Sequence, residues 1–94
     1  YGFTPLHSSA GSGLGDVVLL LIQKGAKVNR KTQHGFTPLH EAVFGGSTNT
    51  AAILIGKGAD INARTNSGTT PLKVAVSIIH QKSINLIRKH GGTM

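Results

Sequence analysis

The sequence GFTPLH occupies residues 2–7 and returns unchanged at residues 35–40, and a weaker copy, GTTPLK, occupies residues 68–73. The three copies therefore begin 33 residues apart. A second phrase keeps the same step, because GAKVN at 25–29 becomes GADIN at 58–62. A fixed period of this length is typical of stacked repeats, in which each unit buries its apolar face against its neighbours.

The composition fits an aliphatic, stacked protein better than a single globule with a large aromatic core. The chain has 94 residues, 38% of them hydrophobic, but only three Phe and one Tyr. Its longest aliphatic run, residues 17–22, is far shorter than the roughly 20 residues that a membrane-spanning helix needs. The absence of cysteine excludes disulfides, thiolate catalysis and zinc fingers, and is typical of an intracellular protein.

Each copy of the hexapeptide carries a signal for the start of a helix. A threonine at the N-cap can accept a hydrogen bond from a backbone N–H that the helix leaves unpaired. Proline is suited to the next position, because its missing N–H would have been unpaired there anyway. The pattern predicts that a short helix begins at each of these pairs: Thr4–Pro5, Thr37–Pro38 and Thr70–Pro71.

A second helix is predicted in each unit. The glycines at 11–15 and 45–46 interrupt the helical pattern, and a second apolar stretch follows the polar residues Asp16 and Asn49. Turn-forming residues then link one unit to the next, so the unit reads helix, turn, helix, loop. Three glycines stand where a left-handed residue would end the second helix: Gly25, Gly58 and Gly91.

These landmarks together resemble the ankyrin repeat, over essentially the whole chain. The resemblance implies an all-α solenoid of stacked helix-turn-helix units with projecting β-hairpin loops. It divides the single array 1–94 into an N-terminally truncated repeat 1 at 1–31, repeat 2 at 32–64 and repeat 3 at 65–94. It also implies that the two histidines of the hexapeptide stabilise their own units by bridging backbone groups. The predicted structural residues are Thr4, Pro5, His7, Thr37, Pro38, His40, Thr70 and Pro71.

The third unit departs from the other two in ways that are typical of a terminal cap, whose outer side faces water. Lys73 stands where the others have histidine, Ile79 where they have glycine, and Arg88 where they have isoleucine. The chain also lacks an initiator Met and stops within the third unit's closing phrase. We interpret it as part of a longer protein.

No motif in the sequence predicts catalysis. His40-Glu41 begins like the zinc-protease phrase His-Glu-x-x-His, but the second ligand position holds Phe44. The glycine-rich stretches at 11–15 and 56–58 lack the remaining residues of nucleotide-binding loops. The three acidic residues fall in different parts of successive units and form no obvious general acid–base pair. We therefore predict no enzyme, cofactor, metal or small-molecule substrate.

The preferred function is a non-catalytic module that binds another protein through hairpin tips and a concave first-helix surface. Ten Lys and Arg against three Asp and Glu give a formal charge of +7, which favours a partner with an acidic or mixed-charge surface. Phe3 and Phe36 can serve as aromatic anchors or as packing between adjacent hairpins. The candidate partner-binding residues are Phe3, Lys31, Gln33, His34, Phe36, Phe44, Gly45, Arg64, Asn66 and Ser67.

Two alternatives remain open. A basic patch could bind nucleic acid or an anionic lipid surface, although the sequence has no interleaved aromatics or known reading module, and surface cations can equally serve solubility alone. The chain could also be the targeting segment of a larger enzyme. The basic patch comprises Lys24, Lys27, Arg30 and Lys31.

Overall fold

The structure is a computed structural model that describes residues 2–94. Within that range the chain forms three helix pairs, which confirms the predicted all-helical, repeated architecture. The first helix of each pair begins at the proline of the hexapeptide. The helices are α1 (Pro5–Gly11), α2 (Gly15–Gln23), α3 (Pro38–Phe44), α4 (Thr48–Gly56), α5 (Pro71–Ser77) and α6 (Gln81–Lys89).

The threonine before each proline caps its helix, as predicted. Its side-chain oxygen accepts a hydrogen bond from the backbone N–H of the third helical residue in all three pairs. In α1 and α3 that residue is histidine, whose ring accepts in return from the threonine's backbone N–H and completes a capping box. In α5 it is Lys73, and only the threonine's half of the arrangement is present.

The second helices begin earlier than predicted. Helices α2 and α4 start at Gly15 and Thr48, so Asp16 and Asn49 lie within the first turn and do not precede it. The physical reason is that backbone hydrogen bonds close the turn after each first helix, from the N–H of Leu14 to the carbonyl of Ser9 and from the N–H of Ser47 to the carbonyl of Ala42, so the second helix begins directly after it. Ser47 caps α4 by accepting from the backbone N–H of Thr50.

The predicted helix-ending glycines are confirmed. Gly25, Gly58 and Gly91 have φ values of 100°, 97° and 87°, in the region that favours glycine. In each case the glycine N–H and the next residue's N–H bond back to carbonyls of the last helical turn, which closes the helix as a Schellman motif.

The helices pack in two rows. Helices α1, α3 and α5 contact one another in order, as do α2, α4 and α6, and each first helix also contacts the second helix of its own pair. One continuous core runs between the rows through all three pairs, with Leu6, Leu39 and Leu72 at equivalent buried positions. No pair closes a core of its own, which is the property expected of stacked repeats.

Asparagine side chains tie successive loops together. The Asn29 amide donates to the carbonyl of Gly58 at 3.1 Å, and its side-chain oxygen accepts from the backbone N–H of Asp60 at 2.7 Å. Asn62 repeats the contact 33 positions later, accepting from the N–H of Thr93 at 2.8 Å. The final residue of the GAKVN and GADIN phrases is therefore a clamp between neighbouring units.

The predicted β-hairpins are not confirmed. Residues 2–94 contain no strand, and the connections form tight turns. In the first turn the N–H of Thr32 donates to the carbonyl of Phe36 at 2.9 Å, and in the second Thr65 donates to Thr69 at the same distance. A single cross-turn bond of this kind is too little to make a ladder.

The third pair contains one strained position. Ile79 has a φ of 54° and is the single non-glycine residue with positive φ in the described range. The equivalent positions hold Gly13 and Gly46, with φ values of 71° and 72°. A β-branched residue is unfavourable in this conformation. Ile79 is also 85% exposed, so burial of its side chain does little to offset the strain.

We expect Ile79→Gly to raise the free energy of unfolding by about 1 kcal/mol, because relief of the left-handed strain exceeds the added entropy of a glycine in the unfolded chain. Urea denaturation with an unchanged slope would measure the gain. Ile79→Ala is the control, since it removes the side chain but keeps the strain and is expected to gain little. A glycine variant no more stable than the alanine variant would contradict this reading.

Candidate functional site

The hexapeptide histidines are buried and fully bonded. The Nδ1 atom of His40 accepts from the backbone N–H of Thr37 at 3.2 Å and lies 2.8 Å from the Thr37 hydroxyl, while Nε2–H donates to the carbonyl of Thr69 at 2.8 Å. His7 repeats the arrangement with Thr4 and with the carbonyl of Phe36. Each ring thus joins its own helix cap to the next turn.

At His40 this geometry requires a neutral imidazole, because Nδ1 must keep its lone pair to accept from the backbone N–H of Thr37. Burial lowers the pKa of His40 below its ordinary value of 6.5, because removal from water disfavours the imidazolium ion. The unfolded chain therefore takes up a proton near pH 6.5, whereas the folded protein resists doing so until a lower pH. The contribution of His40 to the free energy of unfolding is therefore fully present above about pH 6.5 and is lost as the pH falls through the lower pKa of the folded state.

We expect His40→Gln to flatten the pH dependence of the free energy of unfolding between about pH 7.5 and about pH 5.5. Glutamine does not titrate and can occupy the same place in a capping box. Urea denaturation at the two pH values gives the slope. His34→Gln is the control, since His34 is exposed on a turn. Equal slopes in wild type and His40→Gln would rule out His40 as the titrating group.

Four of the predicted partner-binding residues meet around one cavity of about 340 Å³ beside the first turn. Phe3 is 58% exposed and stacks on the ring of His7, with centroids 5.5 Å apart. Phe36 is half-buried and meets His40 edge-on at 5.7 Å, so it packs against the cap as well as lining the cavity. We call this the front cavity; its walls are Phe3, Thr32, Gln33, His34, Phe36 and Glu41.

Glu41 is the wall residue that the sequence analysis missed. It occupies the repeat position that holds Ser8 in the first unit and Val74 in the third, so the repeat itself does not require a carboxylate there. Burial raises the pKa of Glu41 above its ordinary value of 4.5, and the charge of His7 opposes that shift. The sequence did contain a signal for this residue: Glu41 is acidic at a repeat position where the other two units have no acidic residue.

Three other predicted contact residues also tie the turns together. The Lys31 ammonium donates to the carbonyl of Arg64 at 3.0 Å, and the Arg64 guanidinium donates to the carbonyl of Gly68 at 3.3 Å. The Asn66 amide donates to the carbonyl of Gln33 at 2.9 Å. Ser67 is exposed beside them.

The remaining two candidates lie at the end of α3, away from the walls of the front cavity. Phe44 is 68% exposed. Gly45 follows it, and a Cβ atom at Gly45 would collide with the carbonyl oxygen of Gly11. Gly45 therefore allows α1 and α3 to approach closely, which is a packing role.

The basic patch is only partly assembled. Lys24, Lys27 and Arg30 line one open cavity on the first helix pair, whose apolar floor includes Leu6 and Leu21. Lys31 is not among its walls and bonds to the neighbouring turn instead.

In residues 2–94 no three His, Cys, Asp or Glu side chains are grouped as metal ligands. No helix in that range has the length and apolarity to cross a bilayer.

Comparison with known proteins agrees with the geometry. A family model described as ankyrin repeats in many copies matches residues 21–75, and a model of the single ankyrin repeat matches residues 1–33. Over 33 residues, 35% of this chain, the sequence is 52% identical to alpha-latrotoxin-Lt1a of Latrodectus tredecimguttatus and to alpha-latrotoxin-Lhe1a of Latrodectus hesperus. The match covers only 2% of each toxin, so it concerns the repeat and not the toxins' activity.

The 33-residue period, the capped helix pairs in two rows and the matching family models lead to one conclusion: the chain belongs to the ankyrin repeat family.

Proposed function

We propose that this protein binds another protein through the side chains that stacking leaves exposed on its turns and first helices. Ankyrin repeats are in general protein–protein interaction modules, and the fold is non-catalytic. We further propose that residues 1–31, 32–64 and 65–94 act as its three repeats, with the last as a cap.

The observation that carries the proposal is the front cavity. The hexapeptide threonines and histidines make the hydrogen bonds of the helix caps. Phe3, Gln33 and His34, by contrast, are exposed around the front cavity. An exposed aromatic ring beside adaptable polar groups is the usual make-up of an energetic centre in a protein interface. Stacking gives these side chains no task that would explain their exposure together.

Charge indicates the chemistry of the partner. All ten Lys and Arg side chains are exposed, and the formal charge is +7. The resulting positive field accelerates encounter with acidic surfaces and disfavours strongly basic ones. We therefore propose a partner whose contact surface is acidic overall.

The test is affinity for a partner captured from the native cell. The triple variant Phe3→Ala, Gln33→Ala, His34→Ala is expected to weaken binding at least tenfold, because these side chains stand at the proposed interface. The control is Leu19→Ala, Leu20→Ala on the exposed side of α2, which is expected to leave affinity unchanged. A partner that binds the triple variant as well as wild type would place the interface elsewhere.

A second candidate function is the binding of a polyanion. Lys24, Lys27 and Arg30 around one cavity are the observation that favours it. Such binding is expected to fall steeply with salt and to tolerate many sequences. If the protein is not retained on heparin or DNA at low ionic strength, the polyanion-binding function is wrong.

A further inference from the structure

We infer that the front cavity binds the cationic side chain of a lysine or arginine supplied by the partner. The inference rests on the proposed function for the existence of that partner, but the cavity's preference for a cation can be measured without it. The partner would then present one basic side chain to the front cavity, within a contact surface that is acidic overall.

Glu41 places a carboxylate in the wall of the front cavity. The side chain is half-buried; burial raises its pKa, and within residues 2–94 the charge of His7 opposes that rise. Within the described residues, no hydrogen bond to the carboxylate adds to these two effects. Within residues 2–94 Glu41 is therefore a partly desolvated carboxylate that makes no side-chain hydrogen bond or ion pair, a condition that a bound cation relieves.

Phe3 and Phe36 give the front cavity an aromatic wall. One face of Phe3 stacks on His7 at an interplanar angle of 27°, and the residue is still 58% exposed. Phe36 adds a second ring to the same cavity. Cations are attracted to ring faces, and the alkyl stem of lysine or arginine packs against the same rings. Rings and carboxylate together suit a group that is both apolar and positively charged.

The cations of the adjoining turns, Lys31 and Arg64, are engaged elsewhere. Lys31 donates to the carbonyl of Arg64, and Arg64 donates to the carbonyl of Gly68. Both side chains lie along the turns and hold backbone oxygens. The site is consequently left for a cation from another molecule.

The test uses two small probes of the same shape, n-butylguanidinium and n-butylurea, which differ in charge. We expect NMR titration to show amide shifts at Phe3, Phe36 and Glu41, with n-butylguanidinium binding about fivefold or more tightly than n-butylurea. Glu41→Gln is expected to remove that preference, and Phe3→Ala to weaken both probes. Asp16→Asn is the matched control, because it removes an exposed carboxylate on α2 and is expected to leave the preference intact.

Equal affinities of the two probes, or a preference that survives Glu41→Gln, would overturn the inference. The captured partner provides the second measurement. If Glu41→Gln leaves partner affinity unchanged while the triple variant at Phe3, Gln33 and His34 lowers it, the proposed function stands and the cationic anchor is wrong. If the triple variant has no effect on partner affinity, the proposed function itself is wrong.

Discussion

Leu39→Ala is expected to lower the free energy of unfolding by about 3 to 4 kcal/mol, and the matching change Leu6→Ala by about 2 kcal/mol. Both leucines are fully buried at equivalent positions of their helices. Leu39 differs because α3 packs between α1 and α5, whereas α1 has one neighbour in its row among the described helices. Truncation of Leu39 therefore removes contacts on two sides.

Urea denaturation of wild type, Leu39→Ala and Leu6→Ala with a common slope would measure the difference. Leu72→Ala provides a second end-position control, since α5 follows α3 at the other side of the row. The loss at Leu39 is large against the about 5 to 15 kcal/mol that holds a typical domain together. Equal losses at all three leucines would be inconsistent with stacking.

Gly45→Ala is expected to lower the free energy of unfolding by about 2 kcal/mol. The added Cβ meets the carbonyl oxygen of Gly11, and a backbone group cannot turn aside as a flexible side chain can. Helices α1 and α3 would have to separate, which disturbs the core between them. Gly45 has a φ of −76°, so alanine brings no backbone strain and the cost is purely steric.

Gly11→Ala is the matched control on the opposite side of the same contact. A Cβ there lies 3.6 Å from the Cβ of Glu41, an ordinary packing distance. Alanine also favours helix over glycine, so we expect no loss or a gain of up to about 1 kcal/mol. Thermal or urea denaturation of the two variants should give opposite signs. A destabilised Gly11→Ala together with a neutral Gly45→Ala would contradict the geometry.

The sequence was sufficient for the repeat, the helix starts and the helix ends, because each depends on residues close together in the chain. Thr37 caps α3 through a residue three positions away, and Gly25 ends α2 within one turn. Local chemistry of this kind can be read without knowing what lies on the far side of the fold.

Contacts between units could not be read in the same way. The collision that Gly45 avoids and the clamp that Asn29 makes both involve residues about one repeat away, and their geometry depends on how closely the units stack. The β-hairpins implied by the family resemblance are tight turns in this chain. Glu41 was missed because a single carboxylate gains significance only once Phe3 and Phe36 are seen beside it.

The central claim is that residues released from stacking perform recognition, and hydrogen–deuterium exchange of the protein with its captured partner tests it most directly. The account predicts new protection at residues 32–36 and at the N–H groups around Phe3 and Glu41, with exchange in α2, α4 and α6 unchanged. Protection confined to those second helices, with the front cavity exchanging as in the free protein, would contradict it.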